Sequence, residues 1–103
     1  MPKIESVDEA LRAMADPSRR RILTLVQSDE RTAGEIAAEL PITWPAVSQH
    51  LRVLKGAGLI AERRAGTRRY YRARPEGLVG VREFLDGFWN EKLETLKREV
   101  ERG

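Results

Sequence analysis

The chain has 103 residues, 41% of them hydrophobic, and a formal net charge of +3, which suits one domain with a modest core and not a disordered chain. It has no cysteine, which excludes disulfides, thiolate metal sites and thiol catalysis, and no apolar run approaches the roughly 20 residues that span a bilayer. The first six residues also lack the apolar core of a signal peptide, so we expect a single cytoplasmic domain over residues 1–103.

Two helices are predicted before residue 30. Ser6 and Glu9 form a capping box for a helix over residues 6–15. Asp16 is a suitable N-cap and Pro17 a suitable first residue for the next helix. Val7, Leu11 and Met14 lie on one side of the first helix, and Ile22, Leu23, Leu25 and Val26 are predicted to supply the buried surface of the second.

The following segment has the pattern of two short helices around a tight turn. Thr32 and Glu35 form a capping box for the first of them, which Pro41 ends, and Thr43 can cap the second. Each has an apolar stripe: Ile36, Ala37 and Leu40 in the first, and Val47, Leu51 and Leu54 in the second. Residues 32–56 are therefore predicted to form a helix-turn-helix.

The outer face of the second helix carries hydrogen-bonding groups that suit DNA. Gln49 can bond adenine bidentately, Ser48 can meet a base or a phosphate, and Arg52 and Lys55 suit phosphates. The alternative is a polar face that meets only water. For Trp44, at the start of this helix, packing on the sugar-phosphate wall and covering the core edge both remain open.

A small basic hairpin follows. Strands over 59–64 and 68–73 flank the turn at residues 65–67, which has a glycine at its tip. Side chains alternate along a strand, so Arg68 and Arg69 point to opposite sides, and we favour Arg68 as the contact with the DNA backbone.

Positive charge is concentrated in this part of the chain. Residues 59–74 carry six arginines against one glutamate, whereas residues 1–30 and 75–103 together carry ten basic and thirteen acidic groups. A basic region beside a helix-turn-helix is the electrostatic pattern expected for binding a phosphate backbone.

The last predicted helix, over residues 77–101, opens at Pro75 and is rich in apolar side chains. One small domain cannot cover that much apolar surface from one side, so the helix is predicted to pair with its own copy. The predicted interface consists of Val7 and Leu11 from the first helix with Val81, Leu85, Phe88, Trp89, Leu93, Leu96 and Val100.

Five segments in order resemble the winged-helix repressors of the ArsR/SmtB type: Asp16-Pro-Ser-Arg-Arg-Arg-Ile-Leu23, Gly34-Glu-Ile-Ala37, Pro45-Ala-Val-Ser-Gln-His-Leu51, Leu54-Lys-Gly-Ala-Gly-Leu59 and Gly66-Thr-Arg-Arg-Tyr-Tyr-Arg72. The resemblance implies a mainly α-helical fold of about five helices plus a two-stranded antiparallel wing. It also implies a homodimer that represses transcription from an inverted-repeat operator. The residues expected to contact DNA are Thr43, Trp44, Pro45, Ser48, Gln49, Arg52, Lys55, Thr67, Arg68 and Arg69.

The sequence departs from the metal sensors that this family contains. The helix at Glu35–Leu40 has no soft ligand, and the last helix has acidic residues but no histidine, so we expect no metal and no cofactor. His50, the only imidazole, suits a structural or DNA-proximal role.

No catalytic pattern is evident, so an enzyme is not expected. A winged helix that binds protein instead of DNA is the alternative, but it would favour an acidic or apolar outer face on the recognition helix. The sequence does not indicate which inducer, if any, is sensed.

Overall fold

The computed structural model describes the backbone of residues 4–102 and the side chains of residues 7–102. Met1, Pro2, Lys3 and Gly103 of the predicted domain lie outside the described residues. The elements in chain order are α1 (Ile4–Met14), α2 (Pro17–Ser28), β1 (Arg31–Thr32), α3 (Ala33–Ala38), α4 (Trp44–Gly56), β2 (Ile60–Ala65), β3 (Arg68–Ala73), a 3-10 helix (Pro75–Leu78) and α5 (Val79–Arg102). The predicted class, five helices with an antiparallel wing, is confirmed.

The caps predicted from sequence form at the helix starts. Asp16 accepts a hydrogen bond of 3.1 Å from the Arg19 N–H at the start of α2. Thr32 and Glu35 make both bonds of their capping box, at 3.0 and 3.1 Å, and Thr43 caps α4. Since α3 and α4 are joined by only five residues, these caps set the geometry of the helix-turn-helix.

The wing is part of a three-stranded antiparallel sheet in the order β1-β3-β2. Strand β1 was not predicted, because two residues are too few to show a period, and it pairs with Tyr70 and Tyr71. The β2–β3 turn consists of Gly66 and Thr67, one residue shorter than predicted. Gly66 has φ +64°, which fits a type II′ hairpin turn with glycine in its first central position.

The core is formed where α2, α3, α4 and the sheet meet. Its largest fully buried side chains are Ile22, Val26, Ile36, Val47, Leu54, Leu59 and Ile60. This confirms the predicted inner face of α4. In α2 fewer side chains are fully buried than predicted, since Leu23 and Leu25 are only half-buried.

Helix α1 begins earlier than predicted, and alanines form its inner face. It begins at Ile4, so Ser6 lies inside the helix and not at its N-cap. Ala10 and Ala13 are buried in the core, whereas Leu11 is 43% exposed. We attribute the difference to packing: two alanines let the helix backbone approach the core closely, which leaves the leucine outside.

The last helix begins two residues later than predicted, because the chain first forms a 3-10 turn at residues 75–78. A side chain on Gly77 would place its Cβ 2.1 Å from the Gly58 carbonyl oxygen, so this close approach requires glycine. Gly58 itself has φ +76° and ends α4, with the Leu59 N–H donating to the Leu54 carbonyl. The turn that follows α4 and the 3-10 helix that precedes α5 are therefore packed backbone to backbone.

Beyond Val81, helix α5 projects from the rest of the chain. Every residue from 82 to 102 is exposed. The radius of gyration is 17.2 Å and the extents are 61 × 30 × 20 Å, whereas a compact domain of this length has a radius near 13 Å.

Candidate nucleic-acid interface

Helix α4 presents a continuous polar surface to solvent. Ser48, Gln49, Arg52 and Lys55 are all exposed on the side opposite the core. Thr43 and Pro45 are exposed in its first turn. The arrangement can place hydrogen-bonding side chains along a groove of DNA without disturbing the core.

Two of these side chains are already joined to each other. Arg52 Nη1 donates to Gln49 Oε1 at 3.0 Å. The bond orients the Gln49 amide, whose nitrogen can still donate and whose oxygen keeps a second lone pair. Gln49 therefore retains both groups that a bidentate contact with adenine needs.

Trp44 lies at the edge of this surface. Its side chain is 56% exposed, and its ring lies over the backbone of α3 at Gly34, where an added Cβ would be 3.7 Å from the ring. Trp44 thus covers the start of α3 with one part of the ring and presents the remainder to solvent.

The wing has two chemically different faces. Arg69 lies on the same face as the buried Tyr71, and Arg68 lies on the opposite one, as the alternation predicts. Arg68 and Thr67 line a shallow depression with Thr32 and Glu35 at the start of α3. Arg68 is exposed and has no carboxylate within 4.0 Å among the residues whose side chains are described.

A carboxylate that the sequence analysis did not single out lies between α4 and the wing. Glu62 on β2 has a side chain only 14% exposed; its Oε2 accepts a hydrogen bond from Lys55 Nζ, and its Oε1 lies 3.3 Å from Arg69 Nε. The hydrogen bond from Lys55, together with the charges of Lys55 and Arg69, lowers the pKa of Glu62 although burial opposes the shift. Two cations predicted to contact DNA are thus bound to an internal acid.

Other wing arginines are also engaged within the chain. Arg63 makes a two-pronged contact with Glu30 at 2.9–3.3 Å and lies 4.7 Å above the Tyr70 ring. This contact is the main cause of the lowered pKa of Glu30. Arg74 lies 3.5 Å from Glu76. The basic segment therefore offers fewer unpaired cations than its six arginines suggest.

His50 faces inward, toward the junction of α1 and α2. Its side chain is 16% exposed, with Nδ1 3.4 Å from Arg19 Nη1 and Nε2 4.0 Å from Asp16 Oδ1. Arg19 also donates to the Ala13 carbonyl at the end of α1. These contacts connect the recognition helix to the first two helices, which fits the structural role considered for His50.

The predicted dimer residues divide into two groups. Val81 is buried in the core of this chain, and Val7 is half-buried against that core, so neither offers much surface to a partner. The others are between 43% and 77% exposed: Leu11, Leu85, Phe88, Trp89, Leu93, Leu96 and Val100. Phe84, which is 62% exposed, was missed, although its position four residues before Phe88 could have shown it.

Metal and membrane features were searched over the described residues. Within residues 4–102 no group of three or more His, Cys, Asp or Glu side chains is placed to hold a metal ion. Over the same range no helix is long and apolar enough to cross a membrane.

Comparison with known proteins gives consistent results. Residues 16–62 match a family described as bacterial regulatory protein, arsR family. The chain is 46% identical over 93 residues to the HTH-type transcriptional regulator Rv2034 of Mycobacterium tuberculosis, covering 90% of this chain and 87% of that protein. It is 40% identical over 65 residues to the transcriptional repressor SdpR of Bacillus subtilis, covering 63% of this chain and 72% of that one.

A solved structure described as a possible transcriptional regulator for arsenical resistance is 44% identical, with a TM-score of 0.71. The match covers 86% of this chain and 93% of that chain. These relatives are regulators of transcription and not enzymes, in agreement with the expectation from sequence.

Proposed function

This chain belongs to the ArsR family of bacterial transcriptional regulators, and we propose that it is a homodimeric repressor that binds an inverted-repeat DNA operator in the cytoplasm, with residues 1–103 forming one domain. The observation that supports this proposal most is that two helices expose opposite kinds of surface. Helix α4 exposes polar groups and buries its apolar face, whereas α5 exposes its apolar face.

The DNA contacts that we propose come from α4 and the wing. Gln49 reads a base, held by Arg52, and Ser48 contacts a base or a phosphate. Arg68, exposed and without a carboxylate within 4.0 Å among the described residues, contacts the phosphate backbone. Thr43, Pro45 and Trp44 lie in the first turn of α4, where a recognition helix approaches the groove.

The exposed apolar face of α5 supports the proposal of a second copy. Most of the stability of a helix in a protein comes from packing of its apolar face, and α5 beyond Val81 has no such packing within one copy. Pairing through Leu85, Trp89 and Leu93 would cover the exposed apolar face of each copy. A twofold dimer also sets two recognition helices at a fixed separation, which a palindromic operator requires.

The experiment is selection of bound duplexes from a random-sequence library, followed by sequencing. We expect an inverted repeat whose half-sites lie about one helical turn apart, roughly 34 Å. Recovery of single, non-repeated sites would contradict the dimeric mode of binding. Recovery of no preferred duplex would contradict sequence-specific binding and favour the protein-interaction alternative.

A further inference from the structure

We propose that Glu62 is a specificity-determining residue, which holds the cations of Lys55 and Arg69 away from the DNA backbone and fixes the wing against the recognition helix. The inference rests on the DNA-binding function proposed above and assigns a role to an acid within the DNA-binding surface.

The geometry places Glu62 where three elements meet. Its carboxylate, on β2, receives the Lys55 ammonium from the last turn of α4 through Oε2. Its other oxygen lies 3.3 Å from Arg69 Nε on β3. The three side chains line a cleft of about 330 Å³ between helix and wing, together with Ser48 and Arg52. One carboxylate therefore ties the helix to both strands of the hairpin.

The negative charge of the Glu62 carboxylate is compensated by the cations of Lys55 and Arg69. Its Oε1 is buried and accepts no hydrogen bond within the described residues, so the nearby Arg69 guanidinium compensates its charge. A largely buried carboxylate without a compensating cation is unfavourable. Lys55 and Arg69 can therefore leave Glu62 for a phosphate only at the cost of exposing an unpaired internal charge.

This arrangement changes the balance between two kinds of DNA binding. Attraction of cations to phosphates is the same for every sequence, whereas base contacts such as that proposed for Gln49 differ between sequences. Withholding two cations per subunit weakens binding to random DNA and leaves base reading in place. The ratio of specific to non-specific affinity rises as a result.

The test compares Glu62→Gln with Glu94→Gln, which removes the same charge from an exposed position on α5, where Glu94 lies 3.7 Å from Arg98. Affinity for a random-sequence duplex is measured by fluorescence anisotropy over a series of salt concentrations. Each cation released to a phosphate adds about 0.9 to the salt slope, so Glu62→Gln should add up to about 1.8 per subunit and bind random DNA more tightly, most of all at low salt. Glu94→Gln should match the wild type.

A second variant keeps the proposal testable if Glu62→Gln does not fold, which thermal unfolding will show. In the triple variant Glu62→Gln, Lys55→Gln, Arg69→Gln, which leaves no unpaired charge at this position, the salt slope should fall by less than about 0.5 per subunit relative to the wild type. If both cations contact phosphates, the slope should fall by roughly 1.8 per subunit, and the proposal is wrong.

The outcomes separate this inference from the function on which it rests. A wild-type protein that binds no duplex contradicts the proposed function itself. A wild-type protein that binds DNA, with Glu62→Gln indistinguishable from Glu94→Gln, contradicts only the role of Glu62.

Discussion

Helices α4 and α5 are both amphipathic, but they present opposite surfaces to solvent. In α4, Val47, Leu51 and Leu54 are buried and the polar side chains face outward. In α5, Val81 alone among the described residues is buried, and the apolar side chains that follow it are exposed. The comparison shows that one copy of the chain completes the surroundings of α4 and leaves those of α5 incomplete.

Truncation of a leucine should affect the free energy of unfolding differently in the two helices, and this is the largest effect that we expect. Leu54→Ala removes a fully buried side chain of α4 and should lower the free energy of unfolding by about 2–5 kcal/mol. Leu93→Ala, at a position 54% exposed in one copy, should act on dimer dissociation. Chemical denaturation at several protein concentrations distinguishes the two variants. At concentrations where variant and wild type are both monomeric, Leu93→Ala should have the stability of the wild type, whereas Leu54→Ala should remain less stable. Equal losses in the monomers would mean that α5 packs on its own chain.

The next effect tests the outer face of α4. Gln49→Ala should cost roughly 1–3 kcal/mol of binding, mainly at one base pair of each half-site, with non-specific affinity nearly unchanged. Arg68→Ala is the matched comparison, because loss of a phosphate contact should weaken binding to all sequences and lower the salt slope by about 1 per subunit. Titration of operator and random duplexes measures both. The assignments are wrong if the two variants exchange these signatures.

A smaller effect is expected at the start of the helix-turn-helix. Thr32→Ala removes the side chain that caps α3, since its hydroxyl accepts from the Glu35 N–H. We expect a loss of about 0.5–2 kcal/mol in the free energy of unfolding. Thr95→Ala is the control, because Thr95 lies within α5 and bonds only the carbonyl one turn before it among the described residues. A larger loss for Thr95→Ala than for Thr32→Ala would contradict this view of the motif.

The dependence of stability on pH follows from Glu62. Its pKa in the folded protein lies below the ordinary value of 4.5, chiefly because of the hydrogen bond from Lys55. A depressed pKa contributes stability that is present above pH 4.5 and is lost as the pH falls through the folded pKa. Glu62→Gln should therefore flatten the decline in melting temperature below pH 4.5. An unchanged decline would show that the carboxylate is not bound as described.

The two tryptophans provide the smallest effect, and each reports on one helix. Trp44 lies in α4 and Trp89 in α5, and they are 56% and 52% exposed. In Trp89→Phe the remaining tryptophan is Trp44, and its fluorescence should change when DNA is added. In Trp44→Phe the emission should shift to shorter wavelength as protein concentration rises, because a dimer would bury Trp89. The opposite pattern would exchange the roles that we assign to the helices.

The sequence predicts what depends on local pattern. The caps at Asp16, Thr32 and Thr43 and the inner face of α4 could be foreseen, because each involves residues within one or two helical turns. The opposite orientations of Arg68 and Arg69 follow from strand alternation.

The remainder depends on packing between distant segments. The contact of Glu62 with Lys55 exists only because β2 lies against the end of α4, and sequence spacing does not report that distance. The burial of Ala10 and Ala13 depends on how closely α1 approaches the core. The short strand β1 forms because β3 offers it an edge.

We propose that α5 pairs two copies so that the two α4 helices are set for successive turns of DNA. The chain has no cysteine, so Ser48→Cys places a single spin label on the exposed face of α4. The distance between labels can then be measured by pulsed electron paramagnetic resonance without DNA. We expect a distribution centred near one helical turn, about 34 Å, and its loss in Leu93→Glu. The absence of any dipolar coupling in labelled Ser48→Cys, or a separation that the added substitution Leu93→Glu leaves unchanged, would contradict this arrangement.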